Sequence, residues 1–431
     1  KTIKLLPMNF KRKDFLKFGA LAVTAGTLPV LSSFSKSKNS KETEPNLSSL
    51  LADVQPISNE EREARIAKAQ TLLAKNNMGA LVLDSGTSLE YFTGVKWGSS
   101  ERTMVAIIPL KGSVKYVCPA FEEGRFRENI TIGNEVFVWQ EDESPYRLIA
   151  KVISDSGFKK GNIGIEERTR FFIVDGIQKA APQFRCVSGD PVTIGCRIIK
   201  SPAELALMQK ANDITLAAIQ QGVAQLKEGM TQGELSSIIN AAQRSLGGTP
   251  DFALCLFEKD AAFPHGTKTP GKLTKGQIVL MDCGCRVYGY SSDITRTIVF
   301  GAEPTPRQLK VWNLEKQAQE AGFAAAKLGA PMGNIDAASR KVITDAGFGP
   351  GYKLPGLPHR TGHGIGMDGH EWGNALKGNT LRLEPGMCFS IEPMIAIPGE
   401  FGIRLEDCVY MTENGPKWFS KTSKSLQEPF G

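Results

Sequence analysis

Two rhythms of apolar and polar positions alternate through residues 60–198. EREARIAKAQTLLAKNN repeats its apolar residues at helical spacing, whereas GALVLD, ending at Asp84, is the continuous apolar run of a buried strand. TMVAIIP and VKYVCPA predict two more strands joined at Lys111-Gly112, and NIGIEE predicts another ahead of a helix over Phe171–Ala180. Tyr91 and Phe92, in SLEYFTGV, are expected in the core. The segment is an α/β unit without a glycine-rich phosphate loop, since neither G-x-G-x-x-G after a strand nor G-K-[ST] occurs.

From RIIKSPAELALMQKAN onward the rhythm changes to long helices and paired strands. Ser201 is a good N-cap, Pro202 suits the first helical position and Glu204 completes a capping box, so a helix is expected to about Leu226, with another from near Thr231. The strand DFALCLF follows. Then come IVLMDCGC and YSSDITRTIVF, a helix from Pro306 to about Leu328, a second from Gly333 to Ala346, and GMCFSIEPMIAI returning through PGEFG as IRLEDCVYM. No internal repeat is evident by residue identity, although the two hairpins suggest related halves.

Those hairpins carry the chemistry. With the first turn centred between Val287 and Tyr288, Asp282 comes opposite Asp293; with the second on Gly399, beside Pro398, Glu392 comes opposite Glu406. Directly opposed residues hold their Cβ atoms about 4.5–5.5 Å apart, where like charges destabilise a sheet unless a cation lies between them. One such pair ordinarily marks an exposed strand edge or half of a salt bridge. Here there are two, with PHRTGHGIG between them placing His363 between glycines that allow close backbone approach. Asp282, Asp293, His363, Glu392 and Glu406 therefore form a candidate dinuclear metal site, in which two ions about 3.5–4 Å apart would share a hydroxide. The four histidines of the chain, His265, His359, His363 and His370, all fall in or near this stretch, and three lie within twelve residues.

Composition narrows the class. Hydrophobic residues at 41% and charged residues at 23% of 431 are ordinary for a soluble globular protein. Six of the seven net positive charges fall in residues 1–50, with nine Lys/Arg against three Asp/Glu, so the remaining chain is nearly neutral. It gives no argument for nucleic acid or a membrane surface. Residues 1–50 are expected to be a leader and linker. RKDFLK at Arg12–Lys17 is similar to a twin-arginine export motif with Lys13 in the second arginine position. The apolar run Phe18–Leu31 is too short and broken for stable membrane insertion, and Ser32–Ser49 has the composition of disorder. Export to the periplasm is the expectation, with a cytoplasmic protein bearing a basic tail as the alternative. Eight cysteines in so long a chain do not make a disulfide framework, and Cys283, Cys285, Cys388 and Cys408 are expected as buried thiols.

RIIKSPAELALMQKA, PHGT, MDCG, YSSDITRT, PHRTGHGIG, HE, GMCFSIEP and GIRLED together resemble the pita-bread metallopeptidases, in the branch holding aminopeptidase P, prolidase and creatinase. The resemblance spans about Glu60 to Thr422. It implies a mixed α/β (α+β) fold: an N-terminal creatinase-like α/β domain over 55–198, a C-terminal pita-bread catalytic domain over 199–422, and a tail over 423–431. The resemblance further implies that Asp282 chelates one metal, that Asp293 and Glu406 bridge both, and that His363 and Glu392 complete the second. By the same resemblance Glu392 shuttles the proton, His370 stabilises the oxyanion, His265 contacts substrate near the scissile bond, and His359 with Arg404 shapes the pocket for the residue after it. Four oxygen ligands and one nitrogen suit manganese, with cobalt, iron or zinc as alternatives.

The function implied is a metal-dependent exopeptidase cleaving the Xaa-Pro bond at the amino end of short proline-containing peptides, assembled as a homodimer or homotetramer. A creatinase-like amidinohydrolase, a methionine aminopeptidase and a non-catalytic peptide-binding protein of the same fold are the alternatives. The first and last of these ordinarily lack several of the ligands.

Overall fold

Ser58 opens the first helix by accepting a hydrogen bond from the Glu61 backbone N–H, and α1 runs over Asn59–Lys75. The computed structural model describes residues 50–431, so the expected leader motif at Arg12–Lys17, the run Phe18–Leu31 and the linker Ser32–Ser49 lie outside the described residues. After α1 come β1 (Met78–Asp84), α2 (Thr87–Thr93), β2 (Val105–Pro109), β3 (Lys115–Pro119), α3 (Glu123–Arg127) and β4 (Glu135–Trp139). Then follow α4 (Pro145–Asp155), β5 (Gly161–Ile165), α5 (Phe171–Ala180), β6 (Phe184–Ser188) and α6 (Asp190–Arg197). The six strands form one mixed sheet in the order β4-β3-β2-β1-β5-β6. Every residue of the central β1 is buried, as expected of a strand covered on both faces. Tyr91 and Phe92 are core residues of α2.

The second half starts on the expected caps. Ser201 and Glu204 form a capping box on α7 (Pro202–Ala224), and Thr231 and Glu234 form another on α8 (Gln232–Ser245). β7 (Thr249–Phe257), β8 (Ile278–Val287), the short β9 (Tyr290–Ser291) and β10 (Ile294–Val299) follow, with β8 central between β10 and β7. Alternation along β8 divides its faces. Val279, Met281, Cys283 and Cys285 pack into the core that contains α7 and α8, whereas Ile278 and Leu280 face a separate core. Asp282 is next on that second face.

A third capping box, from Thr305 and Gln308, starts α9 (Pro306–Ala325), and α10 (Gly333–Asp345) follows. The remaining strands are β11 (Gly362–Gly364), β12 (Glu371–Ala375), β13 (Cys388–Ile391), β14 (Met394–Ile397), β15 (Phe401–Arg404), β16 (Asp407–Thr412) and β17 (Gly415–Trp418). They form a five-stranded sheet, β12-β11-β13-β16-β17, and the separate pair β14-β15. Among the described residues no helix is long and apolar enough to cross a membrane.

The two hairpins divide on register. In the second, Ile391 pairs with Asp407 and Met394 with Arg404, so Glu392 and Glu406 face each other as expected, with Gly399 at the midpoint. The first differs. Val287 pairs with Tyr290, leaving a two-residue turn at Tyr288-Gly289 in which both residues have positive φ. That is the backbone twist a tight antiparallel turn requires. Asp282 consequently pairs with Thr295, not Asp293. The partner moves by two residues, an even step that leaves Asp293 on the same side of the ribbon.

The related halves are visible in the backbone. Gly229 N–H donates to Leu273 O at 2.8 Å, and Gly329 N–H donates to Leu383 O at 2.8 Å. Gly276 and Gly386, each six residues before an acidic ligand candidate (Asp282 and Glu392), both have positive φ, 83° and 85°.

Candidate metal centre

Four of the five proposed ligands occupy irregular backbone or its border. Asp293 lies between β9 and β10, Glu392 between β13 and β14, and Glu406 between β15 and β16, while His363 is the middle residue of the three-residue β11. Asp282 alone sits inside a long strand. The breaks are held by specific hydrogen bonds. Thr295 and Glu406 exchange backbone bonds of 3.2 and 3.3 Å, and the Thr295 hydroxyl donates to Glu406 Oε2 at 2.7 Å. Glu392 N–H donates to Thr361 O at 2.8 Å. Ser390 Oγ accepts from His363 N–H at 3.0 Å and donates to Glu392 Oε1 at 3.2 Å.

All five side chains converge. Ligand atoms of Asp282, Asp293 and Glu406 lie within 4.8 Å of one another, as do those of His363, Glu392 and Glu406, and those of Asp293, His363 and His370. Asp293, His363 and Glu406 each belong to two of these groups. His363 Nε2 is 3.1 Å from Glu392 Oε1 and 3.6 Å from Asp293 Oδ2. Its Nδ1 donates to Gly364 O at 3.1 Å, the contact that turns Nε2 toward the carboxylates.

The donor set fits divalent cations on its own chemistry. Asp282 Oδ1, Asp293 Oδ1 and Glu406 Oε1 are buried without a hydrogen-bond partner, and buried carboxylate oxygens in that condition call for a cation. Burial, then Glu406, Asp282 and Glu392, pushes the Asp293 carboxyl well above the ordinary range, and burial with Glu392 and Asp282 does the same to Glu406. Glu392 goes the other way: burial opposes ionisation, but His363, His359 and Arg404 hold it well below the usual carboxylate range.

The remaining sequence-identified residues line one cavity of about 840 Å³ with the ligand candidates: His265, His359, His370 and Arg404, joined by Phe252, Leu254, Pro264 and Arg360. Arg404 is turned into the acidic cluster. It pairs with Asp282, donates from Nε to Thr295 Oγ1 at 3.0 Å, and comes within 3.8 Å of Glu406. His359 donates from Nδ1 to Arg360 O at 2.7 Å and leaves Nε2 buried without a partner. Its loop is tied to α10 by Arg340, which donates to the carbonyls of Gly351, Leu357 and His359 while pairing with Asp336. The His370 ring packs 3.9 Å from that of His363, and Arg360 donates to its Nδ1 at 3.1 Å. A guanidinium can only donate, so Nδ1 accepts and the neutral ring carries its proton on Nε2.

The profile described as metallopeptidase family M24 matches residues 206–413, and that of the creatinase/prolidase N-terminal domain matches 65–199. A Xaa-Pro dipeptidase from Lactobacillus delbrueckii subsp. lactis is 33% identical over 368 residues, covering 84% of this chain and 97% of that one. The chain belongs to metallopeptidase family M24. Solved relatives agree. A dipeptidase PepE from Mycobacterium ulcerans has a TM-score of 0.79 at 29% identity, covering 86% of this chain and 99% of that one. A prolidase from Thermococcus sibiricus has a TM-score of 0.76 at 29% identity, covering 84% and 97%. The M24 chain is thus a hydrolase with the mixed α/β architecture of prolidases, and its family uses divalent metal ions.

Sequence reading missed Thr295, Ser390, Arg340 and Arg360. Thr295 stands two residues after Asp293 and Ser390 two before Glu392, positions that share a strand face with the ligands and could have been sought there. Arg360 adjoins His359 in the quoted PHRTGHGIG run.

Two outcomes follow for the M24 centre. A Cβ on Gly364 would lie 1.8 Å from Trp372 O, a backbone atom that cannot yield cheaply. Gly364→Ala should therefore cost about 3 kcal/mol or more, lower the melting temperature and weaken Mn²⁺ binding by displacing His363; calorimetric titration giving wild-type affinity would contradict it. Secondly, partial burial, His363 and Arg360 lower the His370 pKa from its ordinary 6.5 to about 4. Because the unfolded chain binds the proton more readily, this group's contribution is full above 6.5 and is lost as pH falls toward 4. In metal-free protein with ¹³C-labelled histidine, the His370 resonance, identified by its loss in His370→Gln, should stay neutral at pH 6 and titrate near 4.

Proposed function

We propose that this metallopeptidase hydrolyses the Xaa-Pro bond at the amino end of dipeptides and other short peptides, with two divalent ions, manganese before cobalt, iron or zinc. The observation that carries the reading is the set of three buried, unpartnered carboxylate oxygens on Asp282, Asp293 and Glu406, backed by His363 and Glu392. Asp282, Asp293, His363, Glu392 and Glu406 would hold the ions, with Asp293 and Glu406 the carboxylates common to two groups of converging ligand atoms. Four oxygen donors and one imidazole favour manganese. When bound, the ions supply Lewis acidity and a nucleophile available near neutral pH.

This chain's own residues do the rest. Glu392, ionised and held at Oε1 by the Ser390 hydroxyl, takes the proton from the attacking water and returns it to the leaving nitrogen. His370, with its proton on Nε2, donates to the oxyanion that develops on the scissile carbonyl. His265 contacts substrate near that bond, while His359 and Arg404 wall the pocket beyond it. Phe252, Leu254 and Pro264 offer apolar surface to a pyrrolidine ring. The amidinohydrolase and peptide-binding alternatives are disfavoured by the complete ligand set. Residues 55–198 and 199–422 as two domains, export through the leader, and assembly as a homodimer or homotetramer belong to the same reading.

Chelated protein reloaded with Mn²⁺ should cleave Xaa-Pro in preference to Xaa-Ala dipeptides; preference for Xaa-Ala, or undiminished activity after chelation, would overturn the proposal. Glu392→Gln should lower kcat by roughly 10²–10⁴ with circular dichroism unchanged, and wild-type turnover would remove its proton role.

Arg360 refines the substrate. It lines the cavity beside His370, and among the described residues it forms no ion pair, unlike Arg404. We assign it to the carboxylate of a short substrate. Wild-type enzyme should prefer Xaa-Pro to its amide, and Arg360→Gln should lower kcat/KM for the acid about tenfold or more while sparing the amide. Equal losses on both would reduce Arg360 to holding His370.

A further inference from the structure

His363 is fixed by its own strand, but His370 is not. It stands at the end of a loop, Ile365 to Gly369, that leaves β11 and returns as β12. Two carboxylates anchor that loop. Glu371 accepts from Arg197 at 2.5 Å and Lys200 at 2.7 Å, and turns back to accept from the backbone N–H groups of Met367 and Asp368 at 3.1 and 3.3 Å. Asp368 accepts from Arg197 at 2.7 Å, Arg168 at 2.9 Å and the Thr87 hydroxyl at 2.7 Å.

The donors come from the earlier part of the chain: α2, the segment after β5, the end of α6 and the link into α7. Arg197 is the hub. Its side chain is 1% exposed, donates to Ser88 as well as to both carboxylates, and lies under the Trp372 ring at 4.9 Å. Ser88 in turn donates to Glu166 at 3.0 Å. Burial works against the Glu371 carboxylate, yet Lys200 and Arg197 draw its pKa down to about 2, so it stays charged. One guanidinium thereby joins two points of the loop, one just ahead of His370 and one just after it. Both bonds leave Nη2 while Nη1 donates to Ser88, so the planar guanidinium is fixed at its second nitrogen in the orientation from which the first reaches the two carboxylates.

We propose that Arg197, supported by Lys200, is a positioning residue for the peptidase reaction: by clamping Asp368 and Glu371 it sets the place of His370 against His363. The proposal rests on the oxyanion role given to His370. It assigns the amino-terminal part of the chain a share in catalysis, exerted across 171–174 residues of sequence.

The test is a double-mutant cycle in the full-length Mn²⁺-loaded enzyme, with Arg197→Met, His370→Gln and both together. Arg197→Met should lower kcat 10–100-fold, about what a misplaced oxyanion donor costs, leave KM within threefold and retain the wild-type metal stoichiometry. In the His370→Gln background the same change should cost less than threefold, because the group it places is already gone. Losses that multiply in the double variant, a rise in KM with loss of metal, or unchanged kcat would each overturn it. Should Arg197→Met fail to fold, Arg197→Lys replaces it in the same cycle; it keeps the charge without the planar guanidinium, and its smaller kcat loss should likewise vanish when His370 is absent. If the wild-type enzyme prefers another peptide to Xaa-Pro, the substrate reading fails and the cycle is run on that peptide.

Discussion

Mutual repulsion among four carboxylates governs the second half of this protein. Two like charges 4 Å apart at an effective dielectric of 20 repel by about 4 kcal/mol, and here the carboxylates of Asp282, Asp293 and Glu406 meet within 4.8 Å in a buried volume with Glu392 beside them. Arg404 and His363 offset part of that. What is left falls on Asp293 and Glu406, whose carboxyls are both pushed well above the ordinary range, and these are also the two carboxylates shared between ligand clusters. Divalent cations reverse the sign of the whole cluster. Metal binding and the stability of this half are consequently one equilibrium, and ions released by chelation leave behind a cluster that must take up protons or loosen.

A fold that holds mutually repelling groups needs support on both sides of each. The Glu hairpin shows how it is done: β13-β16 and β14-β15 keep one continuous register across the break at Glu392 and Glu406, so the interruption frees two side chains without allowing slippage. Behind it, Arg296 and Asp407 form a fully buried ion pair at 2.7 Å, with Asp407 also accepting from Gln319 at 3.1 Å and from Ser420. Removing one partner of such a pair leaves an uncompensated buried charge, which makes the pair a strong constraint on the fold even where its net contribution is small.

The same hairpins show what a sequence can and cannot specify. Pro398-Gly399 punctuates its turn, and the Glu392–Glu406 pairing read from it is the one observed. In Val287-Tyr288-Gly289 only Gly289 marks the turn; Tyr288, a non-glycine at positive φ, takes the other turn position, which composition does not advertise, and the expected partner of Asp282 is two residues out. The site is legible anyway, because it depends on which side of the ribbon each acid occupies, and an even shift preserves that. Strands β4 and β6 went unread since EVFVW and FRCVS are only partly buried and lack clear alternation. The Arg197 clamp had no local signal at all: its partners are 171 and 174 residues away, and an arginine at a helix end ordinarily suggests solvent.

The clamp also gives a physical reason for the length of the chain. The carboxylate part of the centre is built twice, with Asp282 and Glu392 each six residues beyond a glycine of matching backbone angle, and each half braces the other through the Thr295–Glu406 bridge. The imidazole part is not duplicated. His363 and His370 come from one half, and the backbone of the loop between them is held at its start, where Ile365 N–H donates to Cys388 O at 3.1 Å and Ser291 N–H donates to Gly366 O at 2.8 Å. Those bonds stop short of His370, and the side chains that hold the carboxylates on either side of it come from the earlier part of the chain. Thr87, Arg168 and Arg197 of the amino-terminal part, with Lys200 in the link that follows, stand around the two carboxylates that flank His370.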